Sequence, residues 1–193
     1  MKELSHIPGG TVLDKISLTL VAAGSGIVLY EGLFPSFYYM TWLGYLMLLW
    51  AFFAFTSLIQ IIVSLAVAKW KKWPITLPAG LGFTFGWLLL VTLLIGFKIP
   101  LHASFLLAKP GLEEALAQHH DDLTKIGVVS HNYGLYQFRK ADRRCHRKDR
   151  VFFQFSNDGE AAIIHSTSGI DDLCYNSGNK GHLFGDWYWM KED

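Results

Sequence analysis

Two uncharged apolar runs, Trp42–Ala68 and Pro74–Phe97, flank the short basic sequence Lys69-Trp70-Lys71-Lys72-Trp73. Crossing a hydrocarbon core takes about 20 consecutive apolar residues, and both runs meet that length. Lipid offers no water to backbone N–H and C=O groups, so such runs must close their hydrogen bonds internally, as helices. A membrane hairpin is the first expectation. A weaker apolar run, 16–34, is interrupted by Glu31-Gly32 and is long for the apolar core of a signal peptide. It is read as a retained first span. Its Ala22, Ala23, Gly24, Ser25 and Gly26 would let a neighbouring helix approach closely.

The expected fold is a membrane protein with three transmembrane α-helices and a small α+β extracytoplasmic domain, one helix on an antiparallel sheet. In segments, this gives a cytoplasmic N-terminus 1–15, spans 16–34, 41–68 and 75–97, and a cytoplasmic basic loop 69–74. An interfacial segment and amphipathic helix, 98–126, then lead into an antiparallel β module, 127–193. Orientation comes from the placement of lysines. Lys2, Lys15, Lys69, Lys71 and Lys72 fall on one side if two crossings separate them, and that side is cytoplasmic by the positive-inside bias. The chain is then an integral protein of a bacterial inner or plasma membrane, with its C-terminal domain outside the cytoplasm. The aromatic cluster Phe37, Tyr38, Tyr39 and Trp42 is expected at headgroup level.

Inside the spans, Gln60 is the only strongly polar side chain of the second run, and it is assigned to helix packing. A proton relay would need ionisable companions there, and none exists. Gly82 and Gly86 form a small-xxx-small pair that suits close helix contact.

Beyond Lys98 the pattern changes. Leu112–Thr124 reads as an amphipathic helix opened by Pro110-Gly111. Leu135–Arg139, Arg150–Ser156 and Ala161–Ser166 read as strands, with Asn157-Asp158-Gly159 as a hairpin turn. Further strands are expected at Asp172–Tyr175 and Leu183–Met190, separated by turns at Asn176–Asn179 and Lys180-Gly181. Cys145 and Cys174 are expected to form a disulfide in the compartment so assigned. In the chain-entropy description, such a closure stabilises by roughly 3 kcal/mol.

The order Gly134-Leu-Tyr136, Leu173-Cys-Tyr175 and Trp187-Tyr-Trp189, preceded by Leu107-Ala-Lys-Pro110-Gly, is similar to the tails of uncharacterised bacterial membrane proteins. Those end in a Gly-Leu-Tyr strand and a Trp-Tyr-x-Trp close. The resemblance implies an autonomous module and no activity.

For chemistry, His119 and His120 precede Asp121 and Asp122 with His131 nearby, but the two adjacent histidines point to different faces of a helix and only His119 with Asp122 could form a ligand pair. That spacing does not assemble a zinc site. His165 and Ser166 are strand neighbours facing opposite ways, and no Gly-x-Ser-x-Gly elbow surrounds a serine. No catalytic, cofactor-binding or metal-ligating residue is therefore assigned. Partner-binding candidates are the basic stretch Arg139, Lys140, Arg143, Arg144, Arg147, Lys148 and Arg150 together with Trp187 and Trp189. The expected partners are the bilayer and another protein at the outer surface, not nucleic acid. The expected function is a membrane-anchored binding protein presenting a disulfide-closed module, in an immunity or envelope-complex accessory role. Two alternatives stand beside it: an envelope enzyme acting on lipid or cell-wall material, and a structural membrane subunit.

Overall fold

The computed structural model describes residues 12–38, 41–71, 80–118, 131–142, 150–156, 161–170 and 179–191. Four helices are present: α1 (Val12–Glu31), α2 (Thr41–Lys71), α3 (Gly80–Gly96) and α4 (Ile99–Gln118), with a 3-10 turn, η1, at Pro35–Tyr38. Six strands follow: β1 (His131–Tyr133), β2 (Tyr136–Asp142), β3 (Arg150–Phe155), β4 (Ala161–Ser166), β5 (Asn179–Phe184) and β6 (Trp187–Lys191). The chain divides into a helical unit, residues 1–30 and 42–97, and a β unit, residues 31–41 and 98–193.

This corrects the expected fold class. Among the described residues only Trp42–Val63, within α2, is by itself long and apolar enough to cross a membrane. The other two expected spans fall short for separate reasons. α1 takes in the charged Asp14, Lys15 and Glu31 and the polar Ser17, Thr19 and Ser25, which dilute its apolar character. Among the described residues α3 has 17, about 26 Å at 1.5 Å per residue, short of a core of about 30 Å; residues 72–79 before it lie outside the described residues. It reaches span length only when taken together with α4.

The helical unit is apolar outside and partly polar inside. Met47 and Leu48 are each 69% exposed, and Phe55, Phe83 and Leu58 are exposed as well. Ser17, Ser25, Gln60 and Thr84 are buried. Ser17 Oγ donates to Thr56 Oγ1 at 3.3 Å, linking α1 to α2. Trp50 Nε1 donates to Thr92 Oγ1 at 3.0 Å, linking α2 to α3. The apolar contact among the three helices centres on Val21, Leu49 and Leu88, framed by Trp50, Phe53 and Trp87.

The small residues of α1 are used at Gly24, where an added Cβ would lie 2.9 Å from Leu49 Cδ1. Gly82 and Gly86 are different: an added Cβ there meets nothing within 4 Å. Gly82→Ala and Gly86→Ala should therefore leave the melting temperature of the detergent-solubilised chain unchanged or raise it, since alanine gains up to about 1 kcal/mol of helix propensity. Gly24→Val should lower it by overpacking against Leu49, at a cost of about 1–3 kcal/mol. Equal destabilisation at all three positions would contradict this packing.

In the β unit the sheet order is β1-β2-β3-β4-β6-β5, every neighbouring pair antiparallel. β3 is buried along its whole length and β4 nearly so, which explains the unbroken apolar stretches Val151–Phe153 and Ala161–Ile164 where one-sided burial would alternate. The single strand expected at Leu183–Met190 is two strands, turned at Gly185 with φ +58°. Lys180 and Gly181 lie inside β5 and do not form a turn. α4 runs straight through Pro110 and Gly111, which were expected to open it. β1 was not anticipated.

No disulfide occurs among the described residues, and Cys145 and Cys174 both lie outside them. The disulfide-closed module is therefore corrected to one held by hydrophobic packing. The turn Asn157–Gly159, the strand Asp172–Tyr175, and His119 and His120 likewise lie outside the described residues.

Candidate functional site

One face of the sheet carries a continuous aromatic layer. Register puts Phe138 opposite Phe155, Phe153 opposite Ile163, Ile163 opposite Trp189, and His165 opposite Trp187, so these side chains share a face. Ring centroids are 4.9 Å apart for Phe138–Phe155, 5.1 Å for Tyr136–Phe155 and 5.9 Å for Phe153–Trp187. α4 lies over this face, with Phe105 5.6 Å from Trp187. On the opposite face, Phe152, Ala162, Ile164 and Met190 form a second buried cluster.

Residues 31–38 also join this unit. Phe37 and Tyr38 are 4% exposed, so these two members of the expected headgroup-level cluster are core packing; Tyr39 lies outside the described residues and Trp42 is half-buried on α2. Tyr38 lies 6.2 Å from Trp189 and donates its hydroxyl hydrogen to the Gly32 carbonyl at 3.1 Å. The Leu33 carbonyl receives two hydroxyls, Ser104 Oγ at 2.7 Å and Tyr136 Oη at 3.1 Å, which are themselves 2.6 Å apart. Ser104 also reaches the Leu101 carbonyl at 2.9 Å. Two hydroxyl protons thus serve a short chain of acceptors that ties residue 33 to α4 and β2. Burial raises the Tyr136 phenol well above its ordinary value, against the opposing hydrogen bond from Ser104. It stays protonated and donates. Among the described residues Ser104 bonds only backbone carbonyls and Tyr136, an arrangement that fastens elements together and does not prime a nucleophile.

Lys98 is the one described non-glycine residue with positive φ, +56°. Its ammonium lies 4.6 Å from the Trp189 ring centroid and 5.7 Å from that of Tyr38. Burial lowers its pKa, and the two ring faces offset part of that cost. Midway along α4, Lys109 sits 4.6 Å above Phe184 and 3.4 Å from Glu113.

His165 is half-buried with its ring 4.9 Å from Trp187. Burial lowers its pKa, while Asp186 and Glu113 pull the other way. A folded-state value below the unfolded one, about 6.5, means that the unfolded chain binds more protons just below that pH. Folding stability should therefore fall as pH drops through and below about 6.5, and be fully present above it. Melting curves between pH 7.5 and 5.5 should show a shallower acid loss for His165→Gln than for the wild type. Identical slopes would mean that His165 does not contribute.

Comparison with protein-family models, curated proteins and solved structures gives no match. What the site can do must be read from its residues.

The partner-binding candidates among the described residues do not share one surface. Arg139 is exposed at the bulge where β2 shifts register against β3. Lys140 follows it on β2, opposite Gln154. Arg150 is 1% exposed and donates to Ser168 Oγ at 3.3 Å, so it belongs to the interior. Arg143, Arg144, Arg147 and Lys148 lie outside the described residues. Trp187 and Trp189 are 3% and 1% exposed and contribute packing, not surface. Gln60 is buried within the helical unit. No group of three or more His, Cys, Asp or Glu among the described residues is placed to hold a metal ion.

Sequence reasoning missed the roles of Lys98, Ser104 and Tyr136. Ser104 left a faint signal, a lone hydroxyl amid Leu101, Ala103, Phe105 and Leu106. An open groove of about 320 Å³ between α1 and α2, lined by Leu20, Ile27, Tyr45, Leu48 and Phe52 among others, is almost wholly apolar. It fits a hydrocarbon chain and offers little to a polar substrate.

Proposed function

We propose that this chain is an integral membrane protein in which the helical unit is a lipid-embedded anchor for the β unit. The observation that carries this reading is the exposure of α2: its apolar window is only 17% buried. A core helix of a water-soluble protein would be mostly buried. Here the large apolar side chains face outward, while Ser17, Thr56, Trp50 and Thr92 pair between helices. In water such a surface would far exceed the few hundred Å² of apolar patch that monomers tolerate. In lipid it is matched to its solvent.

The finer placement rests on the lysines. Lys69, Lys71 and Lys72 at and beyond the end of α2 support a cytoplasmic location for that end of the spanning helix. The aromatic layer supports a β unit that is stable through packing and needs no bridge. Kinship with the bacterial membrane proteins sharing the Gly-Leu-Tyr and Trp-Tyr-x-Trp tail is part of the same proposal.

Extraction of native membranes with alkaline carbonate tests the anchor. The chain should stay in the membrane pellet, and Phe55→Arg, near the middle of Trp42–Val63 and exposed, should weaken its retention, since arginine at a helix centre costs about 2.5–3.5 kcal/mol on insertion scales. Release of the wild type into the carbonate supernatant would sink the reading. A reporter fused after Asp193 tests the side.

A further inference from the structure

The outer face of α4 is apolar for three turns and then changes abruptly. Ile99, Ala103, Leu106, Leu107 and Pro110 fall within one stripe at helical spacing, and all are exposed. Leu106 and Leu107 are 54% and 66% exposed. The next residues on the same face are Glu113 and Glu114, both exposed and acidic. Leu135, 52% exposed, extends the stripe from the turn between β1 and β2. That turn abuts α4 closely, since an added Cβ at Gly134 would lie 3.0 Å from the Leu107 carbonyl carbon.

The inner face of the helix already has its partner. Leu101, Phe105, Ala108, Leu112 and Ala115 are buried against the β unit. The outer leucines therefore do nothing for the fold of this unit, and water is a poor neighbour for them.

We infer that this stripe, Ile99–Pro110 with Leu135, lies in the boundary between headgroups and acyl chains, so that the β unit rests on the bilayer. The inference rests on the membrane reading above and adds a second contact to it. Three observations name lipid as the occupant. The stripe begins two residues after the apolar run Pro74–Phe97 ends, so its first turn cannot travel far from the membrane edge. A lysine stands at each end, Lys98 and Lys109, and both ammonium groups fold back over rings of the β unit, at Trp189 and Phe184. Cations flanking an apolar stripe, with stems laid along apolar rings, suit the level of the headgroups. The polarity step at Glu113 marks where the helix leaves the interface, as expected of amphipathic segments lying in the membrane plane.

The test uses the full chain, with Cys145→Ser and Cys174→Ser, in vesicles of phosphatidylcholine and phosphatidylglycerol. Single cysteines at Leu107→Cys, Leu135→Cys, Leu48→Cys and Arg139→Cys carry a fluorophore that is quenched either by nitroxide-bearing lipid or by aqueous iodide. Leu106→Cys serves in place of Leu107→Cys should labelling there disturb the fold. Labels at 107 and 135 should be quenched by lipid several times more strongly than the label at 139, and protected from iodide. Iodide access at 107 and 135 equal to that at 139, with the label at 48 still quenched by lipid, would overturn the inference and leave the anchor standing. Iodide access at 48 as well would remove both.

Discussion

Gly134→Ala should lower the stability of the β unit by about 2–5 kcal/mol, the larger of two glycine effects that the turns allow to be separated. Gly134 and Gly185 both sit at φ +58°. An L-residue held there costs about 1–2 kcal/mol from the contact of Cβ with its own backbone. At Gly185 the added Cβ meets nothing within 4 Å, so Gly185→Ala should show that cost alone. At Gly134 the same atom would lie 3.0 Å from Ala108 N and from the Leu107 carbonyl carbon. Those are main-chain atoms in mid-helix and cannot swing aside, so overpacking adds about 1–3 kcal/mol. Thermal unfolding of the purified chain in detergent, followed by near-ultraviolet circular dichroism of the aromatic layer, reads the difference. Equal shifts for the two variants would show that α4 does not press on this turn.

The same turn shows how far the sequence could be read. Gly134 was visible as part of a Gly-Leu-Tyr strand, but its neighbour Ala108 is twenty-six residues away, and no local pattern announces that approach. Strands β2, β3 and β4 were legible because β-branched and aromatic residues dominate them. β5 was not, since Lys180, Gly181 and His182 resemble a turn in composition. Gly181 stands there because the Trp189 indole lies against it: an added Cβ would come within 2.5 Å of Nε1. The spans were over-read for a related reason. Apolar composition continued through 75–97, but the described part of α3 is Gly80–Gly96, and composition does not say where a helix starts. Residues 32–38 were the largest surprise. Tyrosine and phenylalanine beside an apolar run suit a headgroup belt, and the same rings serve equally as core once a sheet is present to receive them. The site's hydroxyl chain was illegible because its acceptor is the carbonyl of Leu33, an atom that every residue carries.

Trp187→Ala carries the second large effect and asks whether the aromatic layer by itself holds the β unit together. The side chain is 3% exposed, and its ring meets Phe105 of α4 at 5.6 Å, Phe153 of β3 at 5.9 Å and His165 of β4 at 4.9 Å. Truncating a buried aromatic to alanine costs about 3–5 kcal/mol, combining lost transfer energy with the cavity left behind. Trp187→Phe keeps most of the contacts and should cost less than half as much. Two readouts separate this layer from a generic loss of volume. Trp187→Ala and Phe105→Ala should be less than additive, because each removes the other's partner across the helix–sheet seam. Removing the indole also opens His165 to water, so its pKa should climb back toward the ordinary histidine value and the acid loss of stability assigned to His165 should shrink in the Trp187→Ala background. Full additivity together with an unchanged acid slope would mean that Trp187 fills space without joining α4 to the sheet. The cohesion of the unit would then have to come from the opposite face, where Phe152, Ile164 and Met190 pack.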